Sequence, residues 1–194
     1  MKYGIVGSAR LVKNLILTKI FFHNARLIKF PFDIRNKKNI KIGDKFSTGI
    51  FCRVEAYPKH ISDVIMIIGK NVRINDFVHI TAADSVTIGD NVLIASKVLI
   101  TDVAHGSYIG DEQDSRPDEI VNNRELSTKS VFIGNNVWIG ENVNILPGVF
   151  IGDNCIIGAG SVVTGYFLAN SIIAGNPARV IKKYDFDIKR WVKV

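Results

Sequence analysis

Along most of this 194-residue chain an aliphatic side chain returns every six positions. From Val131 the series runs Ile133, Ile139, Ile145, Ile151, Ile157 and Val163, without a slip. Two places before each stands Val131, Val137, Val143, Val149, Cys155 or Ser161. The same beat occurs earlier at Ile68, Ile74 and Ile80, then at Ile88, Ile94 and Ile100, preceded by Met66, Val72, Val78, Val86, Val92 and Val98. A period of six is too short for a helix pair or a propeller blade. It fits an all-β solenoid of short strands and tight turns, a β-helix in which equivalent aliphatics stack inward from coil to coil. Gly, Asn and Asp fall between the strands, at corners where left-handed backbone angles are needed.

Two breaks in the rhythm point to function. Between Ile80 and Ile88 the step is eight, so two extra residues bulge out around Thr81–Asp84. Between Ile100 and Ile133 it is 33, so residues 101–130 must leave the solenoid as an external loop. Insertions in repeat proteins collect on one face, and loops on a rigid scaffold carry binding and catalysis. This loop opens with Asp102, His105, Gly106 and Tyr108, which puts a histidine where the chain departs from the scaffold.

An apolar share of 47% is ample for a stacked core. No run of 18 apolar residues exists, so no transmembrane helix is expected. The N-terminus lacks the charged start, apolar run and cleavage site of a signal peptide, so a cytoplasmic protein is the expectation. Two cysteines imply no disulfide framework, and Cys155 occupies an inward slot as a small core residue. The net charge of +7 is uneven: residues 1–45 hold 11 Lys/Arg against Asp33 and Asp44, whereas residues 46–181 hold 9 basic against 14 acidic side chains. The repeat body is therefore no basic surface, which argues against nucleic acid as a partner.

Residues from about 8 to 30 are rich in helix formers and read as one helix or two short ones, basic and amphipathic, ending before Pro31. Such a helix suits capping of the solenoid end, and its Lys13, Lys19, Arg26 and Lys29 suit contact with an anionic inner-membrane surface. The expected organisation is a helical basic cap over 1–38, a β-helix over 39–177 opening at Ile40 and closing at Gly175-Asn176-Pro177, and a C-terminal tail or short helix over 178–194. Residues 56–65 form a spacer before the regular register begins.

The stretches Ile133–Gly140, Ile157–Thr164 and Ala174–Ile181 resemble the hexapeptide-repeat acyltransferases, in the galactoside/maltose and xenobiotic acetyltransferase branch. Thr48-Gly49, Cys52–Ala56, Ile74–Ile80 and Asp102-x-x-His105-Gly106-Ser107-Tyr108 are similar to the bacterial polysaccharide O-acetyltransferases, which decorate O-antigen or capsule sugars. The resemblance implies a left-handed parallel β-helix, a homotrimer, and acetyl-CoA as cosubstrate in a cleft between subunits, with no metal. It puts the catalytic histidine on His105; an imidazole titrates near neutrality and can take a sugar hydroxyl's proton. Asn75, His79, Asp84 and Asp102 are assigned to the sugar or polysaccharide acceptor. Trp138, Ala159, Thr164, Arg179 and Lys182 are assigned to acetyl-CoA, the indole and small corner residues for the pantetheine arm and the two cations for phosphates.

The chain departs from the family pattern in having one histidine, not two, after Asp102. It carries Ala83 where the galactoside enzymes have an acidic residue, and Gly165-Tyr166-Phe167-Leu168 after the Ser161–Thr164 motif. Two other functions stay open on the same fold: N-acetylation of an amino-sugar nucleotide, and a non-catalytic structural solenoid. A zinc lyase would need a third histidine in register with His79 and His105, and Gly110 stands where it would fall.

Overall fold

The computed structural model describes residues 4–194. Three parallel sheets share the solenoid, and the chain visits them in strict rotation. The first face stacks Ile40–Ile42, Met66–Ile68, Val86–Ile88, Val131–Ile133, Phe150–Ile151 and Tyr166–Phe167. The second runs from Ser47–Thr48 through Arg73–Ile74, Leu93–Ile94, Trp138–Ile139 and Ile156–Ile157 to Ser171–Gly175. The third stacks Phe32–Arg35, Cys52–Ala56, His79–Ala82, Leu99–Thr101, Asn144–Ile145 and Val162–Val163. In the regular part a coil is three hexads: Ile139 pairs with Ile157 and Ile145 with Val163, 18 positions on each time.

The six-residue beat is the inner lining of these coils. Ile74, Ile80, Ile94, Ile100, Ile133, Ile139, Ile145 and Ile151 are fully buried, and Cys155 lies among them. Burial of each such aliphatic contributes about 1.5–3 kcal/mol, and every coil repeats the contribution. At the corner between first and second faces, Asn71, Asn91, Asn136, Asn154 and Asn170 all take left-handed φ near 60°. Their amides bond to one another, Asn136 to Asn154 and Asn154 to Asn170 at 3.0 Å. Asparagine tolerates that backbone and can bond locally, which explains its recurrence there.

All insertions fall at one corner, between third and first faces. Tyr57–Ile65 lengthens the first full coil, so that Val54 pairs with Ile80, 26 positions on. The Ala83–Ser85 bulge makes the next coil 20 residues long, Ile80 to Ile100. The external loop leaves and returns at the same corner, through an antiparallel stem of Val103–His105 with Leu126–Thr128.

The ends differ from expectation. The helix, α1, spans Gly4–Phe21, and a turn at His23–Asn24 follows it. Leu27 already bridges Ser47 and Phe32–Arg35 pairs with Cys52–Glu55, so winding begins thirteen residues before the expected start at Ile40. The reason is edge satisfaction: the first coil's open backbone groups need partners, and this partial coil supplies them. Side chains on α1 help to fix it, since Ile28 N–H donates to Thr18 Oγ1 at 2.8 Å and Phe30 N–H to Asn14 Oδ1 at 3.4 Å. The C-terminus is neither a loose tail nor a helix. Ala178–Asp185 and Arg190–Lys193 form an antiparallel hairpin that extends the second face and closes the other end.

Candidate active site

His105 is the last residue of the outgoing stem strand and is exposed. The loop beyond it is built around Arg124. Its guanidinium donates to the Tyr108 hydroxyl at 2.7 Å and to the carbonyls of Arg116, Pro117 and Glu119 at 3.1–3.2 Å. Tyr108 in turn donates to the His105 carbonyl at 2.6 Å. Gly106 has φ +94°, and a Cβ there would meet Ser115 Oγ and Tyr108 Oη at 2.6 Å, so only glycine lets the loop close against the histidine. Neither Arg124 nor Tyr108 carried a role on sequence grounds; Arg124 showed only as part of the polar run Asn122–Glu125.

The two breaks in the rhythm are one structure. Asp102 is fully buried, and its carboxylate accepts from the backbone N–H groups of Ala83, Asp84 and Ser85 at 2.7–2.8 Å, the three residues of the bulge below. Asp84 accepts from the Ser130 hydroxyl at 2.6 Å, which ties the returning strand to the same bulge. Asp102 therefore cannot touch an acceptor: a carboxylate spent on three buried donors is a clamp, and its assignment to the acceptor is corrected. Asp84 stays exposed but serves first as an anchor for the loop base.

His79 lies half-buried on the outer side of the third face, with Nε2 2.8 Å from Glu55 Oε1. Glu55 is almost fully buried and also accepts from Tyr57 Oη at 3.0 Å and from Arg35 at 3.1 Å. Burial pushes its carboxyl pKa up, but the bonds from His79 and Tyr57 and the Arg35 charge outweigh this, and the net shift is downward. His79 is thus a partly exposed imidazole oriented by a buried carboxylate. Glu55 escaped the sequence reading because its contact needs the 26-residue coil, which the six-residue count does not reveal.

Asn75 sits at the corner between second and third faces, exposed, one coil above Gly49. It lines a groove of about 850 Å³ between α1 and the second face. Arg10, Arg26, Lys29 and Arg73 also border this groove, with Asp76 as its one acid. Asp76 Oδ1 already accepts from Ile50 N–H at 2.8 Å.

On the second face, Arg73, Leu93, Trp138, Ile156 and Ile172 form one outward column that ends opposite Lys182. Residues three apart in an unbroken strand face opposite sides. A register shift between Ile172 and Ile173 corrects this, so Arg179, opposite Ala174, and Lys182, opposite Ile172, both reach the outer side. Ala159 stands at the adjoining corner, where a Cβ on Gly140 would meet its nitrogen at 2.6 Å and the coils press closely together. Thr164 does not join this group. It follows Val162–Val163 at the far edge of the third face, the edge that carries His105.

The expected residues therefore fall into three places on one chain. Asp84, Asp102, His105 and Thr164 lie along the insertion corner; Asn75, His79 and Ala159 lie on the third face and its other corner; Trp138, Arg179 and Lys182 lie on the second face. The four-residue strand His79–Ala82 separates Asn75 from the insertion corner, about 13 Å at about 3.3 Å per residue. Among the described residues, no three His, Cys, Asp or Glu side chains meet as a metal site.

A family model described as bacterial transferase hexapeptide (six repeats) matches residues 130–165. Over 192 residues the chain is 44% identical to the Escherichia coli (strain K12) protein named "Putative lipopolysaccharide biosynthesis O-acetyl transferase WbbJ", covering 99% of this chain and 96% of that one. The chain belongs to the hexapeptide-repeat acyltransferases. Among solved structures, a galactoside acetyltransferase in complex with coenzyme A is 30% identical with a TM-score of 0.50, covering 96% of this chain and 88% of its own. AntD, an N-acyltransferase from Bacillus cereus in complex with dTDP and 3-hydroxybutyryl-CoA, is 25% identical with a TM-score of 0.60, covering 89% of both chains.

Proposed function

We propose that this enzyme moves the acetyl group of acetyl-CoA onto a sugar hydroxyl of a bacterial surface polysaccharide or its precursor, with His105 as general base. What carries the reading is an exposed imidazole on a braced stem strand, in a chain alike over its full length to a protein named for lipopolysaccharide O-acetyl transfer. His105 takes the hydroxyl proton as the oxygen attacks the thioester carbonyl. The C–S bond then breaks, and the thiolate leaves as the thiol with that proton. No covalent acyl-enzyme is needed, and general-base catalysis of this kind contributes about 10²–10⁴-fold. The winding is read as left-handed, the hand that the resemblance implies.

The residues present fit coenzyme A. Leu93, Trp138, Ile156 and Ile172 offer a flat apolar track for a narrow arm, and Arg179 and Lys182 at its end suit phosphates. His105 and this track lie on different faces of one chain, which favours a homotrimer in which one copy lends the histidine and its neighbour the track. A CoA donor points to the cytoplasm. The four cations around the groove at Asn75 favour an acceptor sugar that carries phosphate, whether soluble or lipid-linked.

The AntD likeness favours a second reading, N-acylation of an amino-sugar nucleotide, and the Glu55–His79 pair favours a second candidate base. One experiment separates these. Radiolabelled acetyl-CoA is offered to matched hydroxy- and amino-sugar acceptors with wild type, His105→Ala and His79→Ala. The proposal requires transfer to the hydroxyl, a loss of at least a hundredfold in His105→Ala, and a smaller loss in His79→Ala. Transfer confined to the amine, or near-normal turnover by His105→Ala, would overturn it.

A further inference from the structure

α1 is amphipathic the wrong way round for a helix that merely caps a core. Its inward side holds Gly7, Leu11, Asn14 and Thr18, with Asn14 and Thr18 buried and hydrogen-bonded to the partial coil. Its outward side carries Ile5, Val12, Ile16 and Ile20 at 80%, 55%, 56% and 64% exposure, with Val6 beside them at 75%. At 100° per residue these side chains, with Ala9, make one strip about 23 Å long from Ile5 to Ile20. Lys13 and Lys19 flank it on opposite sides, both exposed. Among the described residues neither has an ion-pair partner. The chain has no Asp or Glu before Asp33. A strip this apolar left in water favours being covered.

We infer that α1 is an in-plane membrane helix which seats the enzyme on an anionic lipid surface. The apolar strip would enter the boundary between headgroups and acyl chains, with Lys13 and Lys19 at headgroup level. No helix among the described residues is long and apolar enough to cross a membrane, so the contact is a surface one. Charge separates this occupant from a second copy. Two copies of this face brought together would set lysines against lysines with no acid to answer them, whereas anionic headgroups complement every charge on it. The polar inward side fits the same purpose, because Asn14 and Thr18 hold the helix by directed bonds and leave its aliphatics for the lipid.

The test is flotation of the full chain with vesicles of neutral phosphatidylcholine, or of phosphatidylcholine with phosphatidylglycerol, at low and high salt. The inference requires binding to the anionic vesicles, weakened by salt and much weaker on neutral ones. Lys13→Gln and Lys19→Gln should each lower the anionic affinity about fivefold. Ile16→Asp should lower it at least tenfold, while transfer to a water-soluble acceptor and oligomeric mass stay as in wild type. No binding to anionic vesicles, equal binding to both, or lysine variants that bind like wild type would overturn it. So would an Ile16→Asp variant that falls apart into smaller oligomers, since the strip would then be covered by protein. None of these outcomes bears on whether His105 is the base.

Discussion

Asp102→Ala isolates the clamp from the chemistry. The wild-type carboxylate is fully buried and holds three backbone N–H groups of the bulge at 2.7–2.8 Å. A hydrogen bond to a charged group is worth about 1.5–3 kcal/mol net, and a buried donor left unpaired costs about 1–3 kcal/mol. Ala83 is buried, whereas Asp84 is exposed and Ser85 half-exposed, so water can recover part of the loss at the latter two. The expected destabilisation is about 4 kcal/mol, toward the upper end for single substitutions. For a chain of this size each kcal/mol moves Tm by about 2–4 °C, so Tm should fall by about 8–16 °C. Asp102→Asn keeps one acceptor oxygen but turns an amide donor toward N–H groups, and should lose at least half as much. Thermal unfolding followed by circular dichroism at fixed protein concentration reads both variants, alongside KM for the acceptor. A Tm within about 2 °C of wild type, with KM for the acceptor raised, would refute the clamp and restore Asp102 to the acceptor site.

Gly106→Ala puts a Cβ 2.6 Å from Ser115 Oγ and Tyr108 Oη at φ +94°, so kcat should fall at least tenfold with little change in Tm. A variant with wild-type kcat would show that the loop does not position His105. Glu55 has a lowered folded-state pKa, so its stabilisation is present above the ordinary carboxyl value of 4.5 and is lost as pH falls below it. Glu55→Gln should therefore cost about 2 kcal/mol at pH 7 and flatten the fall in stability below about pH 4.5. Urea denaturation at pH 7 and pH 4 checks this, and parallel losses at the two values would contradict it. Arg179→Ala and Lys182→Ala should each raise KM for acetyl-CoA about tenfold and leave kcat nearly unchanged. Steady-state kinetics that showed unchanged KM would remove the two cations from the donor site.

The repeat made the core legible almost residue by residue. Ile74, Ile94, Ile139 and Ile157 stack because the six-residue step returns the same face to the interior, a property of the pattern alone. The two breaks were legible as breaks, but not that Asp102 would lock one to the other. That relation depends on both interruptions falling at one corner a coil apart. The C-terminal hairpin was hidden for a different reason: Ala178–Asp185 has no hexad rhythm, since it pairs antiparallel and carries a bulge at Ile181. The helix was visible as basic and amphipathic, but which face turned inward was not. Asn14 and Thr18 look like surface residues until the extended segment at Ile28 and Phe30 is in place to receive their bonds. Glu55 and Arg124 act through contacts that only the folded coil and loop assemble, His79 and Arg35 for the first and Tyr108 with three loop carbonyls for the second, so no local motif announced them.

The central claim is that one copy supplies His105 and another supplies the CoA track, and subunit complementation tests it most directly. A His105→Ala chain and an Arg179→Glu/Lys182→Glu chain, each inactive alone, are co-expressed with different tags and purified as mixed oligomers. In a mixed trimer, whichever chain is doubled, one of the three interfaces joins an intact His105 to an intact cation pair, about a third. The account predicts acetyl transfer by the mixed species at about a third of the wild-type rate. Mixed oligomers that stay as inactive as either parent would place the whole site within one chain and contradict it.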